Sequence, residues 1–494
     1  MNNEEEKIFL NNLLKAGLLN LENKKPKIAI EIFEKILFYR PKNPQVLNLS
    51  CIVYHQLGDL NKALSNIKKA IQYNSNEIGF HINLGNILKD LKDYSSSKQA
   101  YNKALKINEK SVETLYNLGV MHTAQHQYTE AKFYYEKAIT FDPTHKYAFD
   151  NLGTAYAELG KFDQSINCYN KAINIDPNFN QAHYNLSFVF LLTNSLKLGW
   201  EKYEYRLKKD NYTINQPFLN YNYWDGSNLQ NKSLLIYCEQ GIGDNIMFAR
   251  YIKKIKKNNT KIILFCKKNL IIFFKYLSEI DLIITSNQDV PKIDYYVSLM
   301  SLPYIFRNDK NVPEPYNFIK PDKELTLYWK SKIHTSRKIK VGLVWQGDRI
   351  HYDSDYKRSI PLKKFKSLIE LHDIEYISLQ KDSGKEQIQS NRFEKKISDF
   401  FDNIDQTPFK DTLSIIENLD LIISVDTAIA HISATLNKET WVLLPYIPHY
   451  VWGLDKSETH WYNNVKLFRQ KKINQWDQVI LEVRNALIEK FNLK

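Results

Sequence analysis

The chain has 494 residues, 43% apolar and 25% charged, the proportions of an ordinary globular protein; this length exceeds what one hydrophobic core serves, so about three domains are expected. Its formal charge of +13 comes from lysines interleaved with Asn and Ile, as in KKIKKNNTKII at 253–263, which reads as solvated surface and gives no ground for a nucleic-acid partner. The four cysteines, Cys51, Cys168, Cys238 and Cys266, form no C-x-x-C pair, the opening MNNEEEKIFL lacks a basic signal, and no apolar run reaches the roughly 18 residues of a membrane span. A cytoplasmic chain without a membrane span is expected.

Compared with itself at a spacing of 34, the first part places Gly17, Cys51, Gly85, Gly119, Gly153 and Ser187 in one column and Ala29, Ala63, Ser97, Ala131, Ser165 and Gly199 in another. All are small, and two antiparallel helices approach closely only where neither carries bulk. A third column, Phe33, Ile67, Tyr101, Tyr135, Tyr169 and Tyr203, supplies the large residue that fills the gap between hairpins. Ala70, Ala104, Ala138 and Ala172 share its helix face, and Pro41, Pro143 and Pro177 end their repeats. These positions resemble the tetratricopeptide repeat and predict about six helical hairpins, an α-solenoid over residues 1–206. Such a solenoid implies a groove that binds protein or peptide. His122 and Tyr156 read as packing or groove residues. The string GWEKYEYR at 199–206 continues the last repeat without a Gly/Ser/Pro-rich linker, which predicts rigid docking onto the next domain, with 207–231 as a connector.

From Ser233 the pattern changes to short apolar runs (SLLIYC, KIILFC, DLIITS, DYYVSL) alternating with helix-length segments, and it restarts at KVGLVWQG, EYISLQ, LDLIISV and TWVLLP. This predicts two Rossmann-like lobes with parallel sheets, 232–322 and 338–494, joined by a polar linker at 323–337. Two such lobes facing one another across a ligand cleft make the α/β architecture called GT-B.

Two strings sit at strand-to-helix turns. In EQGIGD, Gly241 and Gly243 would let the backbone turn tightly and Asp244 would open the helix, with an N-cap as its plainest role. The third glycine of a dinucleotide fingerprint would fall at Ile246, and no Lys-Ser/Thr comes after it, so neither hydride transfer nor a P-loop is indicated. In SVDTAIAH, Asp426 or Thr427 can cap a helix on which Thr427 and His431 share a face, and the helix N-terminus suits a diphosphate.

Together with WDG at 224–226, SLMSLP at 298–303, RSIPL at 358–362, SLQK at 378–381, WVLLP and LFRQ, these strings resemble glycosyltransferase family 9, the ADP-heptose:lipopolysaccharide heptosyltransferase-like enzymes, in its bacterial branch fused to tetratricopeptide repeats. The resemblance implies an inverting, metal-independent transfer from a nucleotide-diphosphate sugar to a protein or glycan acceptor, with no cofactor. It maps the general base onto Asp244 and the donor site onto Asp426, Thr427 and His431, beside the glycines Gly241 and Gly243. Arg358 and Lys381 are expected to neutralise the leaving diphosphate. After the L-L-P-x-x-P string this chain has His449, Tyr450 and Val451 where the branch often carries an acidic or aromatic pair and an Arg. The other function expected of this plan is a protein-interaction scaffold with an inactive transferase fold.

Overall fold

Helical hairpins of two helices each occupy the first 175 residues, from Asn3–Glu22 with Pro26–Tyr39 to Lys146–Glu158 with Phe162–Ile175. The computed structural model describes residues 3–209, 217–255, 259–309, 312–333, 336–348, 357–400, 407–454 and 456–493. The small columns are contacts. A Cβ on Gly85, Gly119 or Gly153 would lie 2.4, 2.4 or 2.8 Å from the ring of Tyr101, Tyr135 or Tyr169, the large residue of the same hairpin. Ser97 and Ser165 use the same proximity to donate to the carbonyls of Gly85 (2.8 Å) and Gly153 (2.7 Å). Each turn within a hairpin needs one left-handed residue, and a further 34-residue column supplies it: Lys24, Gly58, Lys92, His126, Gly160 and Asn194, all with φ between 56° and 80°. His122 bonds Gln127 and stacks on Tyr134, and Tyr156 donates to Glu136 at 2.6 Å, so packing accounts for both.

The chain divides into two compact units, Met1–Ala182 and His183–Lys494. The division between the units falls near the start of the sixth hairpin, Asn180–Leu192 with Leu196–Tyr203. Most of that hairpin is the first element of the second unit.

The second unit holds two wholly parallel sheets. The first contains β1 (Asn222–Tyr223), β2 (Ser233–Tyr237), β3 (Lys261–Phe265), β4 (Leu282–Ile284) and β5 (Tyr295–Ser298) in the order β1-β5-β2-β3-β4. The second contains β6 (Ile339–Val344), β7 (Ile374–Ser378), β8 (Ile397–Ser398), β9 (Leu421–Val425), β10 (Thr440–Leu444) and β11 (Val465–Arg469) in the order β11-β10-β9-β6-β7-β8. Counted from β6, this is the 3-2-1-4-5-6 order of a doubly wound sheet, in which the direction of strand succession reverses between β6 and β9; ligands of such sheets bind outside the strand ends at that point. The first sheet reverses likewise between β2 and β5.

Every apolar run read as a strand is one, and the central strands, buried on both faces, have few polar positions to spare. Two expectations differ. β1, in the expected connector, pairs with β5. The expected linker at 323–337 includes the helix Lys323–Ile333, which packs on the helix Lys410–Glu417: Trp329 Nε1 donates to Asp411 (2.8 Å) and Asn418 donates to the Thr326 carbonyl (2.9 Å).

Candidate functional site

The first signature turn leaves β2 through Cys238 and Glu239. Gln240, not a glycine, takes the left-handed conformation (φ 60°), and its amide donates to the Tyr203 hydroxyl at 2.9 Å. Gly241 is extended, and its Cβ position is occupied: the Asp244 carboxylate would lie 2.9 Å away. Asp244, third residue of the helix Ile242–Phe248, accepts the Gly241 N–H at 3.2 Å, so it ties the turn back on itself instead of standing at the N-cap.

The second turn leaves β9 through Asp426 and Thr427 into the helix Ala428–Thr435. Thr427 holds the N-cap place with no capping bond; its hydroxyl pairs with that of Ser424 at 3.0 Å. The cap expected from Asp426 or Thr427 is therefore not made by the Thr427 side chain, although the Ala430 N–H donates to the Thr427 carbonyl at 3.1 Å.

Gly243 explains how the turns meet. A Cβ there would lie 2.8 Å from His431 Cδ2 and 3.5 Å from Ala428 Cα, so the glycine is needed for close approach of the two helices, not for a tight bend. His431 is buried, with Nδ1 paired to the Tyr462 hydroxyl at 2.9 Å and its ring stacked on Trp452 at 5.1 Å. Its Nε2 lies 4.0 Å from Asp426 Oδ1, beyond hydrogen-bond range. Burial lowers its pKa to about 4; Asp426 pulls upward, while His449, Arg250 and Arg358 push further down. His431 is thus neutral at pH 7.

Asp244 is half-buried, and burial raises its carboxyl above the ordinary range. His449, the Gly241 N–H and Arg358 oppose the shift, and Asp426 adds to it. Arg358 Nη1 donates to the Asp426 carbonyl at 2.9 Å, which pins the second turn. The structure therefore brings Gly243 against His431, Asp244 against Gly241, and Arg358 against Asp426, which precedes Thr427. Lys381 is placed differently: its Nζ rests over the Phe409 ring at 4.4 Å, past the end of β7.

Sequence reading missed a buried cation under the first turn. Arg206, 3% exposed, comes from the segment after the last hairpin and donates to Glu239 (2.7 and 3.2 Å), Glu204 (2.5 Å), Ser301 (2.7 Å) and Ser298 (3.2 Å). Ser298 also donates to Glu239. Burial disfavours the charge, but Glu204 and Glu239 outweigh it and hold the guanidinium protonated. This network fills the reversal point of the first sheet, between β2 and β5. Its members lie in the strings GWEKYEYR, EQGIGD and SLMSLP; only their pairing was hidden. Arg250 likewise reaches across, donating to the Trp461 carbonyl at 2.6 Å and lying over the Tyr462 ring.

Among the described residues no group of three or more His, Cys, Asp or Glu is arranged to hold a metal ion, and no helix is long and apolar enough to cross a membrane. A carboxylate with raised proton affinity, a neutral imidazole, a guanidinium and a helix N-terminus thus lie near one another.

Tetratricopeptide repeat models match residues 48–77, 78–111 and 112–145, and a TPR repeat model matches 153–193. The N-terminal region is therefore a tetratricopeptide-repeat solenoid. Protein FlbA of Caulobacter vibrioides is 21% identical over 317 residues, an alignment covering 58% of this chain and 52% of that protein; the chain spans about half the length of the curated relative it matches. Similar solved structures include a thermophilic TPR protein of Thermus thermophilus (20% identity, 37% of this chain and 100% of that one, TM-score 0.33) and a tetratricopeptide repeat protein from Parabacteroides merdae (18% identity, 42% and 79%, TM-score 0.37).

Proposed function

We propose that the chain is an inverting, metal-independent glycosyltransferase of GT-B architecture that moves a sugar from a nucleotide-diphosphate sugar to a protein or glycan acceptor recruited by the repeats. The observation that carries this reading is the meeting of the two signature turns at Gly243 and His431, which sets Asp244 within electrostatic reach of His449, Asp426 and Arg358. Asp244 takes the proton of the acceptor hydroxyl, and its raised proton affinity suits a general base, a contribution of roughly 10²- to 10⁴-fold. The uncapped start of the helix Ala428–Thr435, with Thr427, receives the diphosphate, and Arg358 supplies the positive charge that grows in value as the leaving group departs. Because cationic and N–H groups do this work, transfer is expected to persist in excess EDTA. Lys381, held on Phe409, is left with a contribution to the positive rim only.

The second reading, a protein-interaction scaffold, is favoured by the repeat models and by the ordinary turn-closing bond that Asp244 makes. Thermal shift and calorimetry against a panel of nucleotide-diphosphate sugars separate the two. The transferase reading expects one donor to bind, Thr427→Ala and His431→Ala to weaken it, and Asp244→Asn to keep binding while losing turnover. No binding across the panel leaves the scaffold.

A further inference from the structure

The four cysteines divide by position. Cys51 and Cys168 lie in the repeat unit on separate helices, Pro44–Gln56 and Phe162–Ile175, where burial raises them to about 12 and about 11. Cys238 and Cys266 are neighbours. Parallel pairing sets Tyr237 opposite Phe265, and the Cys238 N–H continues the ladder to the Phe265 carbonyl at 2.9 Å, so the next residue on each strand, Cys238 and Cys266, stand side by side at the ends of β2 and β3. Adjacent strands run about 4.8 Å apart, inside the roughly 4.4–6.8 Å between Cα atoms that a disulfide accepts. Cys238 is half-buried and Cys266 is buried.

We infer that Cys238 and Cys266 form an oxidisable dithiol site, which a hydroperoxide such as hydrogen peroxide converts to a disulfide at the foot of the turn that carries Asp244. Burial raises the Cys238 thiol, whereas the neighbouring Cys238 lowers Cys266. The sulfur of one cysteine, as thiolate, attacks a peroxide oxygen; an S–O bond forms, the O–O bond breaks, and the hydroxide that leaves takes up the proton that thiol released, as water. The other thiol then attacks the sulfenic sulfur; the S–S bond forms, the S–O bond breaks, and the departing hydroxide takes that thiol's proton as a second water. Two thiols are oxidised by one peroxide, and two waters result. The new bond would sit directly before Glu239, the partner of Arg206, so the modification acts on the best-anchored part of the first turn.

The test uses the full chain and does not depend on the proposed transferase activity, since it reads only the covalent state of sulfur. After brief peroxide treatment and alkylation of remaining thiols under denaturing conditions, tryptic digestion without reductant should yield peptide 233–250 joined to peptide 262–267, two hydrogens lighter than their sum and separated by dithiothreitol. Cys51 and Cys168 should stay alkylated. Cys238→Ser removes one of the two sulfurs, so the linked peptide should disappear while Cys51 and Cys168 stay alkylated. Recovery of both wild-type peptides alkylated, or oxidised separately, would overturn the inference, as would linkage of either cysteine to Cys51 or Cys168.

Discussion

His431 makes the second unit acid-sensitive, and the size and sign of the effect derive from its surroundings. A histidine in the unfolded chain titrates near 6.5, whereas burial lowers His431 to about 4 in the folded one. Above pH 6.5 both states are neutral and the folded state keeps its full advantage. As the pH falls from about 6.5 to about 4 the unfolded chain takes a proton that the folded chain refuses, so stability is lost across that window and the loss is complete below it. A gap of about 2.5 units at about 1.4 kcal/mol each makes roughly 3 kcal/mol. Of the charged groups facing the ring, only Asp426 would welcome the proton; Arg250, Arg358 and His449 oppose it, and Tyr462 fills Nδ1. Asp244 runs the opposite way: with its carboxyl raised, the folded state holds a proton the unfolded state has lost, so acid favours folding there and blunts the slope. Urea unfolding of the full chain, followed by hydrogen exchange in the helix Ala428–Thr435, should show the slope in wild type and a steeper one in Asp244→Asn. His431→Phe keeps the stack on Trp452 but gives up the Tyr462 bond, about 1 kcal/mol. It should be less stable at pH 7 and nearly flat toward pH 5. A variant that keeps the wild-type slope, or an NMR titration of His431 with a midpoint near 6.5, would refute the argument.

Gly243→Ala should drive a methyl into the His431 ring, which Tyr462 and Trp452 hold in place; overpacking of about 1–3 kcal/mol against a helix-propensity gain of about 1 leaves a net cost of up to about 2 kcal/mol. Unchanged thermal unfolding with unchanged exchange in both helices would show that the contact yields freely. Arg206→Met strands the Glu239 carboxylate in a buried site and should cost roughly 3–5 kcal/mol, most of it recovered when Glu239→Met is added. Equal instability of the double variant in urea unfolding would show that packing, not the ion pair, sets the value. A truncated chain beginning at residue 180 should fold, and one beginning at residue 212, which lies outside the described residues, should not, because it lacks Arg206 and the ring of Trp200, which packs on Phe248 and Tyr450. A cooperative thermal transition in the shorter chain would contradict this.

The repeats were legible because their physics recurs: each hairpin poses the same steric problem, a small residue opposite a large one, in three of them a glycine under a tyrosine ring, and the answer repeats every 34 residues until it cannot be chance. The strands were legible because the buried central ones leave few polar letters. The helix Lys323–Ile333 was not, since KELTLYWKSKI buries little more than Trp329 and Ile333 and otherwise shows the composition of a linker. β1 and β8, two residues each, offer no period to read.

The site was half legible for a different reason. Its strings mark where backbone turns, but a glycine letter serves two needs, a left-handed φ or the absence of a Cβ, and sequence does not tell them apart. In the first turn the left-handed residue is Gln240, and Gly243 is spared a side chain on account of His431, which lies in the other sheet's layer. Arg206 poses the same difficulty on the polar side: an arginine in a lysine-rich helical stretch reads as surface until a carboxylate and two serines, one of them 95 residues away, close around it. What local sequence records is that a constraint exists. Which distant side chain imposes it emerges only when the sheet order sets β2 beside β5 and the two signature helices face each other.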